Sequence, residues 1–268
     1  MALFNKETNI LITDLVGLIH VCDLNGNLLK SINPGGCLKI PMGICVGIRK
    51  NGIEEIYVND WIYSNCSVFV FNQDFKLIKK IGENLEKSDY LTIDCVSDIL
   101  YCLHTNHVVT LWNVNDAKLI QKLEIEGPYD LKISENKIYI VSRADVADWG
   151  ERKLIKVKKG NNINVLNKSK HEIINKIQFD DWLNPQSLHL SSDGHIYTTA
   201  HELDKNNGTW SKNRFLFIID ATSYQIKQKI ELNDVDTFEG ALYLNNKLKL
   251  ILCQVNDKGR EIRIIEFE

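Results

Sequence analysis

The sequence has no apolar run that approaches the roughly 20 residues of a membrane-spanning helix, which excludes a helical membrane protein. The segment Met1-Ala-Leu-Phe-Asn-Lys-Glu-Thr8 shows no basic stretch followed by an apolar one, so no secretory signal is expected. A basic excess is also missing. Thirty-two Lys and Arg face 35 Asp and Glu, giving a net charge of −3 and a sequence pI of about 6.2. A dedicated nucleic-acid binder usually carries a basic surplus, so this balance argues against that class. No Pro-, Gly- or Ser-rich stretch divides the chain, and one domain over residues 1–268 is expected. No C-x-x-C occurs among the seven cysteines, Cys22, Cys37, Cys45, Cys66, Cys95, Cys102 and Cys253. They are odd in number, scattered, and mostly set in apolar strand patterns, where a thiol acts as a small hydrophobe. Reduced structural cysteines and a cytoplasmic location are expected. A serine nucleophile elbow, a G-x-x-x-x-G-K-[ST] loop and an H-E-x-x-H pair are all absent. Accordingly no catalytic residue, metal site or cofactor is assigned.

What is present is repetition. A short apolar strand ends in Asp, Asn or Glu, a turn follows, and a more polar strand comes after it. The unit reads Leu18-Ile-His-Val-Cys-Asp23 with Asn25-Gly-Asn-Leu-Leu-Lys-Ser-Ile32, then Val68-Phe-Val-Phe-Asn72 with Phe75-Lys-Leu-Ile-Lys-Lys-Ile81. It returns as Val109-Thr-Leu-Trp-Asn113 with Lys118-Leu-Ile-Gln-Lys-Leu123, as Asn164-Val-Leu-Asn167 with Glu172-Ile-Ile-Asn-Lys-Ile177, and as Phe217-Ile-Ile-Asp220 with Gln225-Ile-Lys-Gln-Lys-Ile230. A sixth copy is Arg263-Ile-Ile-Glu266. Upstream of each copy lies a second strand, ending at Asp14, Asp60, His104, Arg143, His201 or Gln254. Six anchors at a mean spacing of roughly 45–50 residues match the blade period of a β-propeller.

Burial physics favours the same answer. Strands such as Val68-Phe69-Val70-Phe71 are apolar at successive positions, whereas a strand with one wet face should alternate. Continuous apolar strands need cover on both faces. In a propeller each blade lies between two others, and the outermost strand is polar because it forms the rim. One blade of about 45 residues cannot hide its own faces. Strong helical periodicity is absent, and Asn25-Gly26, Asn51-Gly52 and Asp193-Gly194 mark hairpin turns. The expected fold is all-β: a six-bladed β-propeller of four-stranded antiparallel blades. Residues 2–5 supply either the first inner strand or a strap that completes the last blade.

Residues 41–82 carry a motif: Pro41-Met-Gly43, Gly52, Glu55-Ile-Tyr-Val-Asn-Asp60 and Val68-Phe-Val-Phe-Asn72. This resembles the NHL repeat, whose blade runs Pro-x-Gly, apolar strand, Gly, Tyr-Val-x-Asp, then Val-x-Val-Phe-Asp/Asn. Residues 184–220 form a weaker copy through Asn184-Pro185, Asp193-Gly194, Ile196-Tyr197 and Phe217-Ile-Ile-Asp220. The WD40 propeller is the competing resemblance, through Leu111-Trp112-Asn113, but no Gly-His dipeptide precedes the blades.

In such a fold the ends of the second strands and the loops leading into the inner strands share one face. That places Asp14, Asp60, His104, Arg143, His201 and Gln254 as a polar ring around a channel mouth. Alternatively these residues simply cap their strands. Four of the five tryptophans map to the same face: Trp61 (followed by Tyr63), Trp149, Trp182 and Trp210. Tryptophan on loops is enriched at contact sites; packing over the blade tops is the competing explanation. Trp61, Tyr63, Trp149, Trp182, Trp210 and Arg143 are therefore the expected contact residues for a protein or peptide partner. Two alternatives stand beside this. Some six-bladed relatives are metal-dependent hydrolases or lyases, which would use His104, His201 and nearby carboxylates, although a third equivalent histidine is missing. Some NHL domains bind single-stranded RNA, which the run Lys153, Lys156, Lys158 and Lys159 would serve. The surrounding acidic residues, among them Asp145, Asp148, Glu202 and Asp234, disfavour it.

Overall fold

The computed structural model describes residues 2–5, 8–61, 66–85, 88–104, 107–143, 161–191, 194–203, 210–232, 242–244, 247–256 and 259–266. Contacts divide the chain into two compact units, Met1–Ile125 and Glu126–Glu268. Both are built from propeller-type blades, each an antiparallel sheet whose strands follow one another in chain order.

The first unit holds three blades. Blade one is β1 (Ala2–Phe4), β2 (Asn9–Thr13), β3 (Ile19–Asp23) and β4 (Leu28–Ile32). Blade two is β5 (Pro41–Ile48), β6 (Glu54–Asp60), β7 (Cys66–Phe71) and β8 (Leu77–Leu85). Blade three is β9 (Ser88–Asp94), β10 (Ile99–His104), β11 (Val108–Asn113) and β12 (Leu119–Glu124). The second unit holds blade four, with β13 (Pro128–Ile133), β14 (Lys137–Ser142), β15 (Asn162–Asn167) and β16 (Ile173–Gln178). It also holds blade five, with β17 (Leu183–Leu190), β18 (His195–Leu203), β19 (Trp210–Asp220) and β20 (Ile226–Glu231). A last sheet contains β21 (Leu242–Leu244), β22 (Lys247–Asn256) and β23 (Gly259–Glu266).

The expectation of six four-stranded blades is thereby corrected to five. The sixth copy, around Leu250 and Arg263, forms β22 and β23, with only the three-residue β21 beside them among the described residues. Residues 2–4 supply the first inner strand, since Ala2 pairs with Leu11 and Phe4 with Asn9.

Alternating residues of the middle strands face opposite neighbours, as continuous apolar patterning demands. Ile56 and Val58 of β6 and Phe69 and Phe71 of β7 join Phe4, Leu11 and Ile19 of blade one. Tyr57, Val68 and Val70, from the same two strands, join Leu91, Leu100 and Cys102 of blade three. Each such side chain contributes about 1.5–3 kcal/mol on leaving water. Blades four and five share a comparable core that includes Val141, Ile163, Leu188, Ile196 and Phe217. Polar clamps add register. The Thr13 hydroxyl donates to the Met42 carbonyl, and Asn59 links the Gly43 amide to the Ser88 carbonyl. The Asp130 carboxylate accepts the Leu188 amide at 2.7 Å. The fourth strands β4, β12, β16 and β20 are largely exposed, as rim strands should be.

The Asp or Asn that ends each third strand has a local task. Asp23, Asn72, Asn113, Asn167 and Asp220 turn their side-chain oxygens onto amides two to four residues on. This is the Asx geometry that folds the chain back into a hairpin.

Inner strands β5, β13 and β17 share one irregularity. Each has a proline at or near its start, and the register slips just beyond it: between Pro41 and Ile44, Pro128 and Asp130, and Pro185 and Ser187. Proline has no N–H to place in a ladder, so it tolerates the break. The bulge leaves one extra residue and re-aims its side chain. Tyr129 is that residue in blade four and Gln186 in blade five. Among the described residues no helix is long and apolar enough to cross a membrane.

Candidate binding site

At one end of every blade the inner strand begins, the second strand finishes and the third begins. The six residues expected to form a polar ring each lie near such an end of their own sheet, and the two units treat them differently.

In the first unit the ring residues are occupied by local structure. Asp14 accepts the amides of Val16 and Leu18 and stands 2.8 Å from His20 Nε2, while His20 Nδ1 lies 2.9 Å from Ser31 Oγ. Burial pushes the Asp14 carboxyl up, but these bonds outweigh it and hold the acid below its usual range. Asp60 is 1% exposed and accepts the amides of Lys39 and Ile40, which pins the loop that leads into β5. For Asp60 burial outweighs the amides, so its carboxyl is raised. His104 is buried, with Nε2 2.7 Å from Thr110 Oγ1, and the same hydroxyl accepts the Trp112 indole N–H at 2.9 Å. That sharing suits an imidazole whose proton sits on Nδ1. Trp61 is partly buried, and its amide donates to the Ile40 carbonyl at 2.9 Å. Tyr63 lies outside the described residues.

In the second unit the same end gathers cationic groups. Arg143 follows β14, and its amide donates to the Gly127 carbonyl at 2.9 Å. Gly127 adopts φ +53°, and a Cβ there would stand 2.2 Å from the Arg143 carbonyl oxygen. Only glycine lets the two backbones approach this closely. The Arg143 guanidinium carbon sits 4.1 Å from the centroid of the Tyr129 ring. Its Nη1 reaches Gln186 Oε1 at 3.5 Å. Both bulge residues thus hold one guanidinium, from its own blade and from the next.

A row of polar side chains crosses blade five beside it. His201 of β18 pairs with Asn184 of β17 on one side and with Arg214 of β19 on the other. Cross-strand partners share a face. Asn184, Gln186 and Arg214 are all buried, Arg214 to 7% exposure. Burial and the charges of Arg214 and Arg143 together lower the His201 imidazole to about 3, so it is neutral at physiological pH. Glu202, the next residue along, accepts the Asn213 side-chain amide.

Trp182 packs against the shared core of blades four and five, with Lys229 Nζ 4.9 Å above its ring. Trp210 pairs with Leu203 in the β18–β19 ladder, and Gln254 pairs with Glu261 in the last sheet. The description of both stops at the backbone. Trp149 and the run Lys153, Lys156, Lys158 and Lys159 lie outside the described residues.

Sequence reasoning singled out Arg143 and His201 but not Tyr129, Gln186 or Arg214. The missed signal was proline spacing. Pro128 stands where Pro41 and Pro185 stand in their blades, and the residue after it is the bulge. Among the described residues no group of three or more His, Cys, Asp and Glu is arranged to hold a metal ion. Two guanidiniums beside His201 would also repel a divalent cation. No protein-family model matches the chain, and no curated protein matches it. The fold and this site therefore rest on the chain itself: a β-propeller architecture of five four-stranded blades.

Proposed function

We propose that the chain is a non-catalytic binding module, an NHL-like propeller that engages a protein or peptide segment at the leading ends of its blades. The observation that carries this is Arg143 laid over Tyr129 and held toward Gln186. Arginine and tyrosine are enriched among the residues that dominate binding energetics, tyrosine for its large area with few rotors and arginine for its planar fork of donors. Here Tyr129 is presented by a bulge, and Arg143 by the residue that follows β14. The motif of residues 41–82 and its partial copy at 184–220 support the NHL-like reading. A cytoplasmic location belongs to the same proposal. It is supported by the free thiols of Cys22, Cys37, Cys45, Cys66, Cys95 and Cys102, most of them buried.

Selection of a random peptide display library on the purified protein tests the reading. A recurring sequence should emerge, and Arg143→Ala should lose it while retaining the wild-type far-ultraviolet spectrum. A selection that enriches nothing on the wild type, or a motif that Arg143→Ala still binds equally well, would contradict the assignment.

A further inference from the structure

We infer that Asp14, His20 and Ser31 of blade one form a nucleophilic site, in which His20 is the base that lets the Ser31 hydroxyl take an acyl group from an activated ester. Acylation is a single transfer to the chain itself, so it sits beside the binding-module reading and does not depend on it.

The three residues come from adjacent strands of one sheet. His20 of β3 is the cross-strand partner of Ser31 of β4, and Asp14 directly follows β2. Ser31 Oγ lies 2.9 Å from His20 Nδ1, and the other ring nitrogen, Nε2, lies 2.8 Å from Asp14 Oδ2. An ionised carboxylate can only accept, so Nε2 carries the ring proton and donates it. Nδ1 then holds a lone pair, and the Ser31 O–H donates to it. Asp14 is both fixed and charged. Its Oδ1 accepts the Val16 and Leu18 amides. Burial raises its carboxyl, but the bonds from Leu18, His20 and Val16 outweigh burial and hold it below the usual range. Nucleophile, base and orienting acid are recognised by such geometry, whatever their order in the chain.

His104 and Thr110 supply the contrast. Their 2.7 Å contact is buried, and the threonine oxygen also accepts the Trp112 indole N–H. Ser31 is exposed on the outermost strand of its sheet, and His20 is its one side-chain partner. A reagent in solution can reach it. In the reaction Ser31 Oγ attacks the ester carbonyl carbon while its proton passes to Nδ1. The ester C–O bond then breaks, and the imidazolium returns the proton to the departing oxygen. Ser31 ends as an ester, an alcohol leaves, and nothing is oxidised or reduced. A positioned base contributes about 10²–10⁴-fold. Water screens the Asp14 charge at this surface, which favours the lower end of that range. Esters with a good leaving group are the class this rate serves.

The test uses p-nitrophenyl acetate with the full chain. Nitrophenolate release should leave one acetyl group on Ser31, located by peptide mass mapping, and Ser31→Ala should lose it. His20→Gln should slow acetylation of Ser31 about a hundredfold. Asp14 is a positioning residue. Asp14→Asn keeps an oxygen for the two amides but can donate to Nε2, which moves the ring proton to Nδ1; it should slow the reaction comparably. The wild-type rate, less that of Ser31→Ala, should rise with pH in one step as the imidazole loses its proton, and His20→Gln should lack that step. A merely structural cross-strand bond would give neither the adduct nor the step. Should Asp14→Asn fail to fold, Ser31→Ala and His20→Gln still decide. Acetyl groups found only on other residues, or Ser31 acetylated as fast in His20→Gln as in the wild type, would overturn the assignment.

Discussion

Replacing Gly127 by alanine tests how blade four holds Arg143. The new methyl would stand 2.2 Å from the Arg143 carbonyl oxygen, a backbone atom with no side-chain freedom to yield. The residue would also keep a left-handed φ near +53°, which costs a non-glycine residue about 1–2 kcal/mol. Relieving the clash separates the two chains and breaks the bond from the Arg143 amide to the Gly127 carbonyl, worth about 1 kcal/mol. It also lifts the guanidinium from Tyr129, a loss of about 0.5–1 kcal/mol. The sum is about 3 kcal/mol, or a fall in Tm of about 6–12 °C for a chain of this size. Urea unfolding followed by fluorescence reads the first effect. The second is specific: with one arginine displaced, the His201 pKa should move up from about 3. A variant less than 1 kcal/mol weaker whose His201 titrates as in the wild type would refute the account of this turn.

Further outcomes are expected elsewhere. The folded His201 pKa lies below the unfolded value of 6.5. Its contribution to stability is therefore full above pH 6.5 and declines as pH falls toward 3, because the unfolded chain takes the proton first. His201→Gln should flatten that part of the stability–pH curve, and a curve of unchanged slope would count against it. Asp60→Ala should cost about 1–3 kcal/mol, since the Lys39 and Ile40 amides lose their buried acceptor in a partly buried loop; unchanged denaturant midpoints would contradict this. Arg49 holds Asp98 at 2.8 Å, Asn115 at 2.5 Å and Glu55 at 3.7 Å, tying blade two to blade three. Arg49→Met should destabilise by about 1–3 kcal/mol, less in 1 M salt because these groups are partly exposed; a loss that ignores salt would mean packing rather than charge.

Much of the fold was legible because burial writes directly into strand sequences. Val68-Phe69-Val70-Phe71 is apolar throughout because Val68 and Val70 meet one neighbour and Phe69 and Phe71 the other. The Asp or Asn closing each third strand was legible for an equally local reason: its side chain makes the next turn. Blade count was harder, because a repeated strand pair does not reveal whether an inner strand precedes it. Six copies of the pair yield five four-stranded blades, and the copy around Leu250 has only Leu242–Leu244 on its inner side. Ring membership at the candidate site followed from strand ends, so Arg143 and His201 stood out. Side-chain commitments did not. Nothing in the spacing of Asp14, Asp60 and His104 says that each is spent on its own turn, loop or strand. Arg214 escaped because its importance comes from pairing with His201, a long-range register.

The proline-and-bulge arrangement makes part of each blade independent of the rest. A residue squeezed out of the pleat has no cross-strand partner in the ladder to match. Tyr129 and Gln186 occupy that position with unrelated chemistries. Substitution there can alter what the protein grips while the sheets beneath remain untouched, so new specificities would be reached one side chain at a time.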